Sequence, residues 1–360
     1  METRTKEILV RWATYFGRTV WVVLNNLYVI PAHIIILTLF SPLVYFLPQL
    51  YYLLEETMFT WMLSMVSCWI WSAGYTILES GDSLDQSLRE RILFMPNHQS
   101  TADVPFLMTL FTPRFGMGGR VMWLMDKVFK YTNFGACSWI HDDFFIQAGK
   151  QTRDRSLVEL REHLTRVFQT KQRDCLVLFP EGGFLRKRKA VSQSFAKKND
   201  LPLFEHVTVP RTGALKVIMD VLGPSGTSPT STHIKKVVDV TIAYPEGKPL
   251  DLVSIITGWR PPCTSHVHYR VFDVEELPMD PDEMFKWMVQ LYQDKEKMLE
   301  EFYRTGEFPY TMFNPGAEAP KPIQHIPLRY ALLNSIFIFA TLSLILITYS
   351  LVTSLKNSIY

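Results

Sequence analysis

The sequence has few cysteines and almost no net charge. Its four cysteines form no C-x-x-C pair and no metal-ligand spacing: Cys68, Cys137, Cys175 and Cys263. This pattern excludes a disulfide-rich scaffold, so we expect reduced thiols and a main domain that faces the cytosol. The formal net charge of +2 excludes the strongly basic balance of a nucleic-acid-binding protein, and no nucleic-acid partner is predicted.

Two common catalytic motifs are also missing. The chain has no glycine-rich phosphate loop, which excludes P-loop nucleotide chemistry. It has no serine in a G-x-S-x-G turn, which excludes the nucleophile elbow of the serine hydrolases. A catalytic base in this chain would therefore act on a nucleophile that the substrate brings, such as a hydroxyl.

Long apolar runs lie at both ends of the chain. From Tyr330 to Leu355 there is no charged residue, and a helix of this length exceeds the roughly 30 Å hydrocarbon core of a bilayer, so a transmembrane helix is predicted. Between residues 19 and 78, three apolar stretches are interrupted by prolines. The basic residues before them favour a cytosolic N-terminus, so this region either crosses the membrane an even number of times or re-enters it. Buried core helices are the alternative.

The middle of the chain alternates short apolar runs with amphipathic stretches, which is typical of an α/β fold with a central mixed sheet flanked by helices. Strands are predicted at 91–95, 121–125, 144–147, 175–179, 206–209, 237–244 and 266–272, helices at 152–170 and 282–303, and a surface loop at 223–232. We expect three domains: a membrane-anchoring hydrophobic region at 1–80, a catalytic domain at 81–310, and a linker with the C-terminal transmembrane helix at 311–360.

The segment PNHQSTAD, residues 96–103, sets His98 and Asp103 five positions apart behind the apolar run ILFM. On one continuous helix the two side chains would diverge by about 140°, so the pair requires the bend that the preceding Pro-Asn supplies. With Ser100 or Thr101 as the helix cap, Asp103 could bind one ring nitrogen and leave the other free to take a proton. His98 is then a candidate general base. The alternative is a loop histidine and an aspartate that favours the helix dipole.

A second motif, FPEGGFLRKRK, follows another apolar strand. Glu181 could accept hydrogen bonds from substrate hydroxyls or orient a nearby base; alternatively it is a solvated acid in a strand-end turn. Gly182 and Gly183 let a ligand approach the backbone closely. The basic run that begins with Arg186 and Lys187 is either a solvated face or a site for anionic lipid heads or for the phosphates of a nucleotide-bearing donor.

Two histidine-containing segments have simpler interpretations. His266 and His268 share one face of a strand, but no third ligand stands at motif spacing, so no metal site is predicted. The run His141, Asp142 and Asp143 precedes an apolar strand, and a turn is expected there.

Together these motifs resemble those of the glycerolipid (lysophospholipid) acyltransferase family, whose first motif is H-x4-D and whose third is F-P-E-G. The longer stretches MWLMDKVFKYTNFG, TIAYP and HVHYR are similar to the lysophosphatidylglycerol acyltransferase branch. The resemblance implies transfer of an acyl group from acyl-CoA to a lysophospholipid hydroxyl, in phospholipid synthesis and remodelling at the endoplasmic reticulum membrane. It implies no cofactor, with acyl-CoA as co-substrate and the lipid bilayer as partner, and it indicates no oligomeric state.

The resemblance also assigns roles by motif. His98 would be the base and Asp103 would orient it. The candidate substrate-binding residues are Glu181, Gly182, Gly183, Arg186, Lys187, Phe145, Ile146 and Pro210. Of these, Phe145 and Ile146 match a second motif that here lacks the family's arginine, and Pro210 matches the valine-proline of the fourth motif.

The third motif departs from the family at Gly183 and Phe184, where many relatives that use lysophosphatidic acid carry Thr-Arg. The missing arginine removes a partner for a doubly charged phosphomonoester. A phosphodiester acceptor such as lysophosphatidylglycerol or lysophosphatidylethanolamine is therefore predicted. Three other functions stay open: a catalytically silent lipid-binding or tethering protein on the same scaffold, an acylglycerol acyltransferase, and a hydrolase in which His98 activates water.

Overall fold

The computed structural model describes residues 2–84, 87–114, 118–147, 149, 152–168 and 170–359. Within these residues the helices are α1 Glu2–Phe40, α2 Leu43–Phe46, α3 Pro48–Ser72, α4 Asp103–Phe111, α5 Asn133–Ile140, α6 Arg153–His163, α7 Leu185–Lys198, α8 Gly213–Leu222, α9 Leu252–Thr257, α10 Pro281–Thr305 and α11 Pro327–Ile359. The strands are β1 Thr76–Gly81, β2 Ile92–Pro96, β3 Val121–Asp126, β4 Phe144–Ile146, β5 Cys175–Val177, β6 Lys236–Ala243, β7 Thr264–Asp273 and β8 Glu318–Pro322.

The strands form one mixed sheet in the order β4-β3-β5-β2-β6-β7-β1-β8. Strand β2 lies in its middle and pairs in parallel with β5 on one side and β6 on the other. The β6–β7 and β8–β1 pairs are antiparallel. The predicted α/β fold with a central mixed sheet is thus confirmed.

Side chains along β2 alternate between two cores. Ile92 and Phe94 belong to a core that also contains residues of α3 and α4, whereas Leu93 and Met95 belong to one that contains residues of α8 and α10. This alternation follows from the two-residue period of a strand. Because both faces are covered, the strand is buried along its whole length, and the polar segment that follows it emerges at the carboxyl edge of the sheet.

Strands β2 to β7 confirm six of the predicted strands to within two residues. The strand predicted at 206–209 is wrong, because this segment is a loop. The backbone N–H groups of Glu205, His206 and Val207 donate to the carboxylate of Glu296 on α10, which replaces a strand partner. Strands β1 and β8 are absent from the prediction; β8 has the sequence EAPKP, and prolines are tolerated at a sheet edge but weaken the strand signal.

The predicted helix at 282–303 is confirmed by α10. The helix predicted at 152–170 is α6, followed by a π-helical turn at Leu164–Phe168, and residue 169 lies outside the described residues. The predicted loop at 223–232 is irregular except for a short 3-10 turn at Thr230–Thr232.

Within the residues that the structure describes, two helices are long and apolar enough to cross a membrane, Thr5–Phe40 and Pro327–Asn357. The first is nearly half buried against the rest of the chain, while the second is almost entirely exposed. The apolar stretch that ends at residue 78 is predicted from the sequence as a membrane segment. In the structure it forms the buried half of α3 and the start of β1, so the alternative of a buried core helix holds for this stretch. The predicted boundary at residue 80 falls inside β1, and β8 lies within the predicted linker, so the sheet extends beyond 81–310.

A buried ion cluster ties α3 to the sheet domain. Oε1 of Glu55 lies 2.9 Å from Nη2 of Arg173 and 3.1 Å from Nζ of Lys171, and the side chains of Glu55 and Arg173 are almost fully buried. Burial alone would raise the pKa of Glu55, but the positive charges of Arg173 and Lys171 lower it below its ordinary value. Helix α3 is therefore held in the domain by charge as well as by apolar packing.

Candidate active site

The turn after β2 is fixed by Asn97, whose side chain pairs with the neighbouring strand β6. Its Nδ2 donates to the carbonyl of Ile242 at 3.1 Å, and its Oδ1 accepts from the Ile242 N–H at 2.7 Å. Asn97 is fully buried, and these bonds satisfy both ends of its amide. The side chain takes the place of a strand residue, which lets the backbone turn toward His98.

His98 and Asp103 lie in direct contact. Nδ1 of His98 is 2.9 Å from Oδ2 of Asp103, which is fully buried as the first residue of α4. Because an ionised carboxylate only accepts hydrogen bonds, Nδ1 carries the ring proton and Nε2 keeps its lone pair. Within the described part of the chain Nε2 has no hydrogen-bond partner. This is the tautomer that a general base requires.

Two further donors hold the Asp103 carboxylate. The backbone N–H of Ser100 donates to Oδ2 at 2.8 Å, and the hydroxyl of Tyr244 donates to Oδ1 at 2.6 Å. Tyr244 follows β6 and is fully buried, so the neighbouring strand delivers it to the same edge of the sheet. With donors on both oxygens, the carboxylate is fixed against rotation and can hold the imidazole in one orientation.

The residue directly before α4 is Ala102, not the predicted Ser100 or Thr101, and it makes no side-chain cap. The Ser100 hydroxyl does accept from the Ala102 N–H at 3.0 Å, so it satisfies one backbone donor of the turn that leads into α4. The Ser100 hydroxyl donates to the carbonyl of Leu250, and the Thr101 hydroxyl accepts from the N–H of Leu252. Both hydroxyls therefore bind the start of α9 and the residues that lead into it, and they anchor the histidine turn there.

Two phenylalanines of the FPEGGF loop cover the His98 ring. The ring centroids of Phe179 and Phe184 lie 4.1 and 4.4 Å from that of His98. The N–H of Leu185 also donates to the His98 carbonyl at 2.7 Å. The His98 side chain keeps 11% of its surface exposed, so the base is packed tightly but not sealed.

Glu181 is buried behind His98 and is not a solvated acid. Its Oε1 accepts from the His98 backbone N–H at 2.7 Å, and its Oε2 accepts from the N–H and the hydroxyl of Thr208 at 3.0 and 2.9 Å. Burial raises the pKa of Glu181 to about 8, and these donors oppose that shift. Both carboxylate oxygens are engaged by the protein, so the arrangement matches a residue that positions the base rather than one that contacts substrate hydroxyls.

The two glycines that follow Glu181 form a turn with positive φ angles. Gly182 and Gly183 have φ angles of +65° and +149°, a region in which other residues are strained. Arg186 and Lys187 lie in the first turn of α7, immediately after this loop, and both are exposed. Two exposed cationic side chains thus follow directly after the loop that packs on His98.

Comparison with known proteins agrees with this geometry. The family model described as "Acyltransferase" matches residues 79–245, and the model described as "Acyltransferase C-terminus" matches residues 254–339. The acyl-CoA:lysophosphatidylglycerol acyltransferase 1 proteins of Homo sapiens and Mus musculus are each 40% identical to this chain over 304 residues, which cover 81% of this chain and 82% of theirs. The chain belongs to the lysophospholipid acyltransferase family.

The crystal structure of the 1-acyl-sn-glycerophosphate acyltransferase PlsC from Thermotoga maritima is also similar, with 12% identity over 78% of this chain and 97% of that one. Its TM-score of 0.41 is too low to support an argument about this chain.

The structure brings together the first, third and fourth family motifs but not the second. Pro210 precedes Arg211, whose N–H donates to the carbonyl of Pro180 in the third motif. Phe145 and Ile146 lie in β4, which is separated from β2 by β3 and β5, or about 14 Å across the sheet at the usual strand spacing. Their assignment to substrate binding stays a prediction of the family motif.

Sequence reasoning missed four residues that shape the site of this acyltransferase: Asn97 as a strand mimic, Thr208, Tyr244 and Arg211. Tyr244 had a usable signal, because it ends a strand that is parallel to β2, and the carboxyl ends of parallel strands meet at one edge of the sheet.

Among the described residues no group of three histidine, cysteine, aspartate or glutamate side chains could hold a metal ion. His268 instead lies 3.2 Å from the Ser80 hydroxyl.

Proposed function

We propose that this protein transfers a fatty acyl group from acyl-CoA to the free hydroxyl of a lysophospholipid. The observation that carries the proposal is the His98–Asp103 pair, with Nδ1 bound to a buried carboxylate and Nε2 without a partner in the described residues. The names of the human and mouse relatives support acyl-CoA as donor and lysophosphatidylglycerol as acceptor. No cofactor beyond the co-substrate is needed for this reaction.

The reaction proceeds in one displacement. Nε2 of His98 takes the proton of the acceptor hydroxyl while the hydroxyl oxygen attacks the thioester carbonyl carbon. The carbon–sulfur bond then breaks, and the coenzyme A thiolate leaves and can accept the proton from the imidazolium. Asp103 stabilises the imidazolium, and Tyr244 holds Asp103 in place through its hydroxyl.

The acceptor is a phosphodiester lipid, lysophosphatidylglycerol or lysophosphatidylethanolamine. The support is the sequence GGF where an arginine would bind a phosphomonoester. We place the protein in the endoplasmic reticulum membrane with the active site toward the cytosol. The two apolar helices α1 and α11 support the membrane location, and the basic N-terminal residues support this orientation.

The test uses purified full-length protein in detergent with radiolabelled acyl-CoA, with and without lysophosphatidylglycerol. His98→Ala should lower turnover by about 10² to 10⁴, the usual contribution of a general base. His233→Ala is the control, because this histidine bonds the carbonyl of Ser228 in a loop before β6, far from the carboxyl edge of the sheet.

Each outcome selects one function. Labelled phospholipid that requires His98 supports the proposal, and free fatty acid released without acceptor indicates a hydrolase. No product with any acceptor indicates a silent lipid-binding protein. Turnover of the His98→Ala variant close to that of wild type would refute the role of His98.

A further inference from the structure

Two arginine side chains cover the glycine turn beside His98. An added Cβ at Gly182 would lie 3.3 Å from Nη1 and 3.4 Å from Cζ of Arg211, and one at Gly183 would lie 3.3 Å from Cγ and Cδ of Arg188. Both guanidinium stems therefore occupy space that any other residue at these positions would restrict. Arg211 belongs to the loop after Thr208, and Arg188 belongs to α7, so two separate segments deliver the two cations to consecutive residues of one turn.

Neither guanidinium has a partner within the part of the chain that the structure describes: no hydrogen bond or ion pair involves the side chain of Arg211 or Arg188. Their neighbour Lys189, in contrast, pairs with Glu205 at 2.6 Å. Two cations that lie against adjacent glycines, with no ion pair of their own in the described residues, repel each other, and a bound anion would offset this repulsion. A phosphodiester oxygen is well suited, because guanidinium groups bind phosphates through two parallel hydrogen bonds.

The residues on both sides of the glycine turn contact His98. Glu181, directly before Gly182, holds the His98 backbone, and the ring of Phe184, directly after Gly183, lies against the imidazole. The Arg211 N–H also donates to the carbonyl of Pro180 in the same loop. In a lysophospholipid only a few covalent bonds separate the free hydroxyl from the phosphate, so an anion held on this turn belongs to the molecule whose hydroxyl faces His98.

We propose that Arg211 and Arg188 bind the phosphodiester group of the acyl acceptor. Arg211 follows the fourth motif and Arg188 lies in α7. Together they would provide the positive charge that the second and third motifs of this chain lack. The inference rests on the proposed function for the identity of the acceptor. The phosphates of coenzyme A share the same chemistry, so the experiment measures donor and acceptor separately.

The experiment compares Arg211→Gln and Arg188→Gln with wild type. The acceptor KM is measured by varying lysophosphatidylglycerol at saturating acyl-CoA, and the donor KM is measured by varying acyl-CoA at saturating lysophosphatidylglycerol. Each variant should raise the acceptor KM about tenfold or more, the loss expected for one charge-assisted contact, with kcat and the donor KM within about a factor of two. Arg211→Lys should fall between wild type and Arg211→Gln. Arg166→Gln, which removes an exposed cation from the π-helical turn after α6, is the control and should change neither constant.

An unchanged acceptor KM, or a rise in the donor KM alone, overturns the proposal. A second measurement separates it from the proposed function: equilibrium binding of lysophosphatidylglycerol to His98→Ala protein with and without Arg211→Gln. If wild-type protein transfers no acyl group, the proposed function fails, yet a tenfold weaker binding in the double variant still supports the phosphodiester site. Equal binding by the two proteins overturns that site whatever the turnover.

Discussion

Glu181 offers the sharpest test of how the base is held. Its carboxylate accepts three hydrogen bonds, from the His98 N–H and from the N–H and hydroxyl of Thr208. Glu181→Gln keeps the shape of the side chain but leaves only one acceptor oxygen. If that oxygen serves the two Thr208 donors, the new NH2 group faces the His98 N–H, and two donors oppose each other. The variant must therefore release one segment of the loop that packs on the base.

Leaving a buried donor without its hydrogen-bond partner costs about 1–3 kcal/mol, which we expect as the fall in the free energy of unfolding. If the same energy is lost in the transition state, kcat falls by about 10- to 100-fold. Because Glu181 does not contact substrate in this arrangement, the acceptor KM should stay within about a factor of two. Glu181→Asp keeps the carboxyl group but is one methylene shorter, so it should reach either the His98 donor or the Thr208 donors and recover part of the rate.

The assay is steady-state kinetics with lysophosphatidylglycerol, together with thermal unfolding of the same samples. A raised acceptor KM with unchanged kcat would refute the positioning role and restore the sequence prediction that Glu181 binds the acceptor.

The pH dependence of the free energy of unfolding gives a further readout. With a pKa of about 8 in the folded protein against an ordinary value of 4.5, Glu181 binds its proton more tightly when folded, so its contribution to stability is lost as pH rises from about 4.5 through about 8. Glutamine does not titrate and should remove this part of the slope.

Two other substitutions test the surroundings of the base. Tyr244→Phe removes the 2.6 Å hydrogen bond to Asp103 and should lower kcat about tenfold with the substrate KM values unchanged; full activity would show that Asp103 needs no such support. Glu55→Ala leaves the buried Arg173 without its carboxylate and should lower the free energy of unfolding by about 3–5 kcal/mol in thermal or denaturant unfolding. Glu56→Ala, which breaks a partly exposed pair, should cost about 1 kcal/mol or less, and equal losses would contradict the buried cluster.

The sequence predicts well those strands whose own residue pattern shows that they are buried. Strands β2 and β3 are almost entirely apolar because both faces of the sheet are covered, and they are confirmed. The failed strand at 206–209 also has an apolar, β-branched composition. The N–H groups of His206 and Val207 in this segment donate to Glu296, about 90 residues later, and nothing in the local pattern reports such a distant acceptor.

The same division holds in the site. The contact between His98 and Asp103 joins residues five apart, so a turn with known geometry is enough to predict it. The contacts of Glu181 with His98 and of Tyr244 with Asp103 join residues 83 and 141 positions apart, and they exist because β5 and β6 flank β2 in the sheet. Strand order follows from the whole topology, so the sequence could place Tyr244 at the end of a strand but could not identify Asp103 as its partner.

The N-terminal helices show why apolar composition alone does not distinguish a membrane span from a core helix. Helix α1 can span a bilayer, and its exposed apolar side chains include Leu9, Trp12 and Phe16. Helix α3 is just as rich in apolar residues, yet it carries the adjacent acids Glu55 and Glu56. A carboxylate inside hydrocarbon is costly unless it is paired, and the protein supplies both partners from its sheet domain, Arg173 for the first and Arg120 for the second. Paired charge therefore makes α3 part of the acyltransferase domain, and a truncation that removes residues 1–80 would take away a core helix together with nearly all of β1.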